Sequence, residues 1–342
     1  MRSRNVEKVA RAVFADEASR EGFYRALELG DQGVSAVAWL RGAPKPGAIK
    51  VSQIRPTWLP DWIEVSADDF RPGKLAEHEL GEFYLLDLSS TFALAPLASL
   101  TERISVLVDV CAAPGGKGIV ASRYLSPDLV IANEVIRKRT APLISNYTRC
   151  AIDPAIVSSC DPALLATLIP SAAQLVIVDA PCSGQSLMLK GMAAPGAFHP
   201  ATINMNQRRQ RRILANSSKL VAAGGYLLYA TCTFSPEENE ENVEWLTRSF
   251  PDFKTVSVPS LAGWRSWLSD LETYRLSPQD GFGAGAFVAL LRREHQGAEG
   301  DGIELRGENV ATIVWPTWRS QSVPQGEPRD TTERRPQRSR RR

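Results

Sequence analysis

Paired cysteines, histidine clusters and long apolar runs are all scarce in this 342-residue chain, and each shortage removes a class of function. The five cysteines, Cys111, Cys150, Cys160, Cys182 and Cys232, are odd in number and show no CxxC spacing, and the three histidines are far apart in sequence. A disulfide scaffold and a zinc site are therefore disfavoured, and no metal is expected. No stretch is apolar and long enough to span a bilayer, and the first residues, MRSRNVEKVARAVFADEASR, lack the apolar core of a signal peptide. A cytoplasmic protein with no membrane partner is expected. The length suits one large domain, or a core domain with a small extension, that buries its core without staples. Charge of one sign is lacking too. The net charge is +2, but the end of the chain, PRDTTERRPQRSRRR, carries +5 and leaves the rest at −3. Such a Pro- and Arg-rich tail is expected to be disordered, serving either nucleic-acid phosphates or solubility alone.

Residues 1 to about 42 place apolar side chains at helical spacing, Val6, Val9, Ala10, Val13 and Phe14, then Phe23, Ala26 and Leu27, with Gly30 and Gly42 as stops. This predicts a helical lead-in. From Ala43 to Gly73 the pieces APKPG, RPTWLPDW and FRPG predict turns and short extended segments. Residues 1–80 thus read as a small N-terminal α+β extension, a candidate RNA-binding region. Near Ile104 the texture changes to short apolar runs separated by helical stretches: ISVLVDV, LVIANE, AIVSSC, QLVIVDA, GYLLYAT and AFVALLRR. Runs apolar on both faces suit buried strands of a mostly parallel sheet with crossover helices, an α/β doubly wound class. Residues 294–342 read as a short hairpin over IELRGENVATIVW followed by the basic tail.

The segment VLVDVCAAPGGKGIVAS predicts a strand ending at Val110, a loop with Gly115 and Gly116, and a helix starting near Lys117. Small residues there admit close backbone approach of a ligand, or merely make a tight turn. The pattern is not GxGxxG, so phosphate cradling is not implied. The next strand ends at Glu134, 25 positions after Asp109. An acid at that place is set to accept hydrogen bonds from ribose hydroxyls, which makes Glu134 the candidate ribose ligand, with a helix N-terminal charge as the alternative. A ribose ligand without a pyrophosphate fingerprint points to a nucleoside cofactor, S-adenosylmethionine being the common one.

Two further runs end VIVDAPCSGQSLMLK and YLLYATCTFSPEENEEN, placing Cys182 and Cys232 just past strand ends, where open α/β sheets bind ligands. A thiolate suits attack on carbon 6 of cytosine, which turns carbon 5 into a nucleophile for a methyl group. A carboxyl group that hydrogen-bonds ring N3 helps, and Asp179 is the candidate. Buried cysteines ordinarily act as small hydrophobes, the reading given to Cys111, Cys150 and Cys160.

Taken in order, DVCAAPGGKG, ANEVIRKR, DAPCSGQS, YATCTFSPEENE and GFGAGAFVALLRR resemble the RsmB-type (Sun-family) RNA cytosine-5 methyltransferases over roughly Gly81 to Arg293. The resemblance implies a seven-stranded, Rossmann-like methyltransferase sheet over residues 81–293, with S-adenosyl-L-methionine as cofactor and ribosomal or transfer RNA as partner, and no obligate protein partner is evident. It implies Cys232 as the nucleophile, Cys182 as the thiol that assists product release and Asp179 as the base-binding residue. Cofactor roles fall on Cys111, Ala112, Ala113, Pro114, Gly115, Gly116 and Lys117, on Glu134, on Asp161 near the adenine, and on Asp179. Lys190 resembles a family lysine near the active site, on a loosely matching segment. Gly118 stands where the family more often has Thr or Ser.

Outside the pocket, QRRQRR supplies Arg208, Arg209, Arg211 and Arg212 on an expected helix, spread over more than one face, as RNA contacts or as an ordinary solvated surface. Tyr229 and Phe234, beside the second thiol, either stack on a flipped base or belong to the core. Two rival functions stay open. One is a DNA cytosine-5 methyltransferase, for which Glu241-Asn242-Val243 is a short match; the other is an RNA-binding or assembly factor without catalysis on the same fold.

Overall fold

The computed structural model describes residues 3–30, 33–67, 69–294 and 313–316. The chain opens with α1 (Arg4–Val13) and α2 (Glu17–Leu29), started by side-chain caps: Ser3 Oγ accepts from the Val6 N–H, and Asp16 from the Ser19 N–H. Their apolar stripe, Val6, Val9, Ala10, Val13 and Phe23, packs with Phe198, Phe234 and Ala284, so the two helices brace the region after the second cysteine.

The helical lead-in ends sooner than expected. Residues before Gly42 form a strand, β1 (Ser35–Trp39), which pairs antiparallel with β2 (Ile63–Val65) and, across the short helix α3 (Ala76–Glu79), with β3 (Phe83–Asp87). The segment SAVAW is too short to show a period of its own. Its conformation is decided by partners 25 to 52 residues away, where all four positions after Ser35 are buried.

After α4 (Leu88–Phe92) the main sheet begins. Its strands are β4 (Val106–Asp109), β5 (Leu129–Asn133), β6 (Ala155–Ser158), β7 (Ala173–Asp179), β8 (Val221–Thr231), β9 (Phe253–Thr255), β10 (Tyr274–Leu276), β11 (Ala286–Arg293) and β12 (Ile313–Pro316). The order is β10-β11-β8-β7-β4-β5-β6-β12, with β9 also on β11. Pairs among β6, β5, β4, β7 and β8 are parallel; β9, β10, β11 and β12 join antiparallel. All six apolar runs of the sequence are strands of this doubly wound sheet, and it has nine strands instead of seven. The additions β9, β10 and β12 span three or four residues each, too few for alternation to register. β12 lies against β6, while the rest of the expected C-terminal hairpin and the basic tail fall outside the described residues.

Crossovers α5 (Gly116–Leu125), α6 (Thr140–Arg149), α7 (Pro162–Leu168), α8 (Pro200–Ser217) and α9 (Glu240–Ser249) join the strands. Two large clusters of buried side chains fill the two faces, one including Leu107, Ile119, Leu143 and Leu228, the other Val108, Val176, Leu214 and Leu246. Among the described residues no helix is long and apolar enough to cross a membrane.

Candidate active site

The C-terminal ends of β4, β5, β7 and β8 open into a cavity of about 750 Å³ lined by Cys111, Ala113, Glu134, Asp161, Asp179, Cys182 and Cys232, among others. The loop between β4 and α5 is held to the sheet by the Val110 N–H donating to the Ile177 carbonyl at 2.9 Å and the Ala112 N–H to the Asn133 carbonyl at 2.8 Å. Its glycines answer to the protein itself. Gly115 has φ +118°, and a Cβ there would meet Leu143 and Tyr147 at 3.1 Å; one on Gly116 would meet Leu86 at 2.8 Å and Tyr84 at 2.9 Å. Close packing against α6 and β3 is thus one requirement at these positions. Ala112, Pro114, Gly116 and Lys117 line a second cavity of about 210 Å³, with Asp87 and Asp109, which shares Cys111, Ala113 and Asp179 with the large one, and Gly115 lines neither.

On the β5 side, Glu134 is 3% exposed at its side chain. Its Oε1 accepts from the Ile136 N–H at 2.9 Å. Its Oε2 lies 3.1 Å from Arg139 Nη1 but has no hydrogen-bond partner, a buried acceptor with capacity to spare. Arg139 in turn donates to the Ala113 carbonyl at 2.7 Å, tying the two cofactor-side loops together. Asp161 caps α7, accepting from the Ala163 N–H at 2.9 Å, and pairs with Arg212 of α8. Exposed Val135 and Ile136 supply apolar wall beside Pro162.

At the other end of the cavity the two thiols meet, with Cys182 Sγ 3.2 Å from Cys232 Sγ. The hydrogen bond from the Cys182 S–H holds the Cys232 pKa below the usual thiol value against the opposing effect of burial, and the Ser186 hydroxyl and the Lys117 ammonium act the same way. Donating that bond, burial, and the nearby charges of Cys232 and Glu238 push Cys182 well up. Of the two, Cys232 is the sulfur that ionises more readily, and Cys182 the one that holds its proton. Lys117 Nζ binds Asp179 Oδ2 at 2.7 Å. Burial works against the Lys117 charge, but the Asp179 carboxylate outweighs it and raises the pKa.

A buried polar network sets the spacing of the two cysteine loops. Glu238, fully buried, accepts from the Ser183 N–H at 2.9 Å and from Gln210 Nε2 at 2.8 Å. Ser183 Oγ lies 2.7 Å from Thr233 Oγ1, and the Gln185 carbonyl oxygen accepts from the Phe234 N–H at 2.8 Å. Three of these four links join the neighbours of Cys182 to the neighbours of Cys232, and the Gln210 link ties them to α8. These residues were not singled out by the sequence, where the acidic run PEENEENVEW reads as the first turns of a helix. Burial instead takes Glu238, Asn239, Glu240 and Asn242, with Glu240 paired to Arg275.

Lys190 reaches the site through Asp87, at 2.9 Å, and lines neither cavity. Arg208, Arg209 and Arg212 line the rim of the large cavity, whereas Arg211 turns to Asn242 and the Trp245 ring. Tyr229 and Phe234 are core: Tyr229 donates to the Glu238 carbonyl at 2.5 Å, and Phe234 meets the Phe23 ring edge-on at 5.1 Å. Neither can stack on a base. Cys150 and Cys160 are buried as expected, and Cys111 is pushed up by burial and the surrounding carboxylates. Glu241 is exposed on α9 with Gln207 as its partner and lines no part of the cavity, which removes the support for the DNA-type reading. Among the described residues no group of side chains has the makeup of a metal site.

A family model for "16S rRNA methyltransferase RsmB/F" matches residues 96–292. The ribosomal RNA small subunit methyltransferase F of Pectobacterium carotovorum is 30% identical over 246 residues, 69% of this chain and 49% of that protein. The enzyme of the same description from Cronobacter sakazakii is 32% identical over 244 residues, 69% of this chain and 50% of its own length. The chain therefore spans about half the length of the curated relatives it matches. Among solved structures, NSun6 from Pyrococcus horikoshii with SFG superimposes with a TM-score of 0.70 at 18% identity, covering 85% of this chain and 98% of that one, a likeness of fold.

Proposed function

Because the chain belongs to the 16S rRNA methyltransferase RsmB/F family, we propose that it methylates carbon 5 of a cytosine in RNA from S-adenosylmethionine, with ribosomal RNA the favoured substrate. The observation that carries this reading is the pair of thiols 3.2 Å apart beside the Lys117–Asp179 ion pair.

The cavity fits the cofactor. Glu134 Oε2, buried and without a hydrogen-bond partner, suits a ribose hydroxyl, and Val135, Ile136 and Pro162 with Asp161 suit the adenine. Cys111 and Ala113 border the remaining length. When bound, the cofactor supplies an electrophilic methyl group. The protein's own residues do the rest. The Cys232 thiolate forms a bond to carbon 6, the carbon 5–carbon 6 π electrons shift toward N3, and the proton held in the Lys117–Asp179 contact passes to N3, so that no anion is left on the ring. Carbon 5, now enamine-like, takes the methyl group as N3 returns that proton to the pair. Water in the open cavity then takes the carbon 5 proton, the carbon 5–carbon 6 double bond re-forms, and Cys232 leaves as a thiolate, with Cys182 as the thiol beside the leaving sulfur that assists release.

The test is a denaturation-resistant protein–RNA adduct, assayed with cellular RNA and S-adenosylmethionine. It should accumulate with Cys182→Ala and be absent with Cys232→Ala. The reverse pattern would exchange the two roles, and no adduct in either variant or the wild type would favour an RNA-binding factor without catalysis.

A further inference from the structure

We infer that the exposed face of α8 is a track for the single-stranded RNA that flanks the target nucleotide, a surface that rests on the RNA reading above. Met205, Arg208, Arg209 and Arg212 fall at i, i+3, i+4 and i+7, one stripe of the helix, and all four are exposed. Met205 is 63% exposed, and the three arginines border the mouth of the large cavity. Buried Ile203, Asn206, Gln210, Ile213 and Leu214 fix the opposite face of the helix to the sheet and to Glu238, so the stripe cannot rotate away.

Charge decides the occupant. Among the described residues Arg208 and Arg209 have no carboxylate partner and no hydrogen bond, whereas Arg211 is satisfied by Asn242 and Arg212 by Asp161. Two guanidinium groups left unpaired beside the cavity suit phosphate oxygens. From Met205 to Arg212 the helix rises roughly 10 Å at about 1.5 Å per residue, room for about three nucleotides at about 3.4 Å each. A cytosine attacked at carbon 6 must leave any stack, so its neighbours present bases as well as phosphates. Met205, an adaptable thioether at the end of the stripe, gives such a base an apolar rest. The other internal methionines, Met188 and Met192, are also exposed, on the loop leading from Cys182 to α8.

The experiment measures binding of a fluorescent, unpaired, cytosine-containing RNA by anisotropy from 50 to 200 mM KCl, with S-adenosylhomocysteine affinity by calorimetry as the second readout. Arg208→Gln/Arg209→Gln should bind RNA more weakly at low salt and lower the log–log salt slope by about 1.4, about 0.7 for each lost phosphate contact. The gap from wild type then narrows about sevenfold across that range, while S-adenosylhomocysteine affinity holds. Lys219→Gln/Lys254→Gln, two exposed cations at the opposite end of the sheet, should leave the slope unchanged. An unchanged slope in the α8 variant, an equal change in the Lys219/Lys254 variant, or lost S-adenosylhomocysteine affinity with the slope intact each overturns the surface. If wild type itself shows no RNA affinity, the RNA reading of the whole protein fails and takes the surface with it.

Discussion

Gly118 offers a sharp test of how the cofactor loop is packed. It lies in the first turn of α5, where alanine ordinarily stabilises a helix by about 1 kcal/mol over glycine. Here a Cβ would sit 2.3 Å from the Tyr147 hydroxyl and 3.2 Å from Asp109 Oδ2. Tyr147 is fully buried and its hydroxyl has no hydrogen-bond partner. The ring cannot swing aside, because the Gly115 turn and Leu143 pack on it. Overpacking of this kind costs about 1–3 kcal/mol, so Gly118→Ala should come out destabilised by up to about 2 kcal/mol despite the better helix former. Tyr147→Phe removes a buried hydroxyl that bonds to nothing and should be neutral or stabilising by about 1 kcal/mol. With the hydroxyl gone, the nearest ring carbon stands 3.5 Å from the new Cβ, an ordinary contact. The double variant should then be more stable than Gly118→Ala by more than Tyr147→Phe gains alone, a coupling of about 1–3 kcal/mol in urea denaturation. Additivity within about 0.5 kcal/mol would refute the reasoning.

Asp109 is raised to about 7 by burial first and by the Asp179 charge second, and neither of its oxygens has a hydrogen-bond partner of normal geometry. Its folded pKa lies above the unfolded 3.8, so the stability it contributes is full below 3.8 and is lost as pH rises towards 7. The shift corresponds to a loss on the order of 4 kcal/mol. Asp109→Asn should therefore be more stable than wild type at pH 8, with the gap closing towards pH 4 in urea melts; a gap independent of pH would exclude this origin. Glu238→Ala strands the Ser183 N–H and the Gln210 amide, which should cost about 3 kcal/mol and slow adduct formation at Cys232, whereas Glu238→Gln should retain most of the stability. Equal stability of the alanine and glutamine variants would show that the network does not hold the cysteine loops.

Strand positions of the central sheet were legible because both faces are buried and the runs VLVDV, VIVDA and LLYAT are apolar throughout. The two thiols and the Glu134 strand end were legible because chemistry places them immediately after such runs. Three things were not. SAVAW gave no sign of pairing because its partners in β2 and β3 are distant in sequence. The crowding at Gly115 and Gly116 left no sign because a sequence does not reveal Tyr84, Leu86 and Tyr147 pressing from behind. The burial of Glu238 left no sign because a buried carboxylate is tolerable only where donors converge, and its donors come from Ser183 and Gln210 on other elements.

The packing of β3 bears on how the protein can be dissected. Tyr84 and Leu86 support the glycine turn from beneath, and β3 is paired along its length with β1. A fragment beginning at Gly81 would keep that support but strip away the neighbour that holds it straight. It would present a bare, sticky edge of five residues directly under the cofactor loop. Expression of the catalytic half should therefore begin upstream of Ser35, and a shorter piece that fails to bind cofactor would reveal a missing foundation rather than a missing ligand contact.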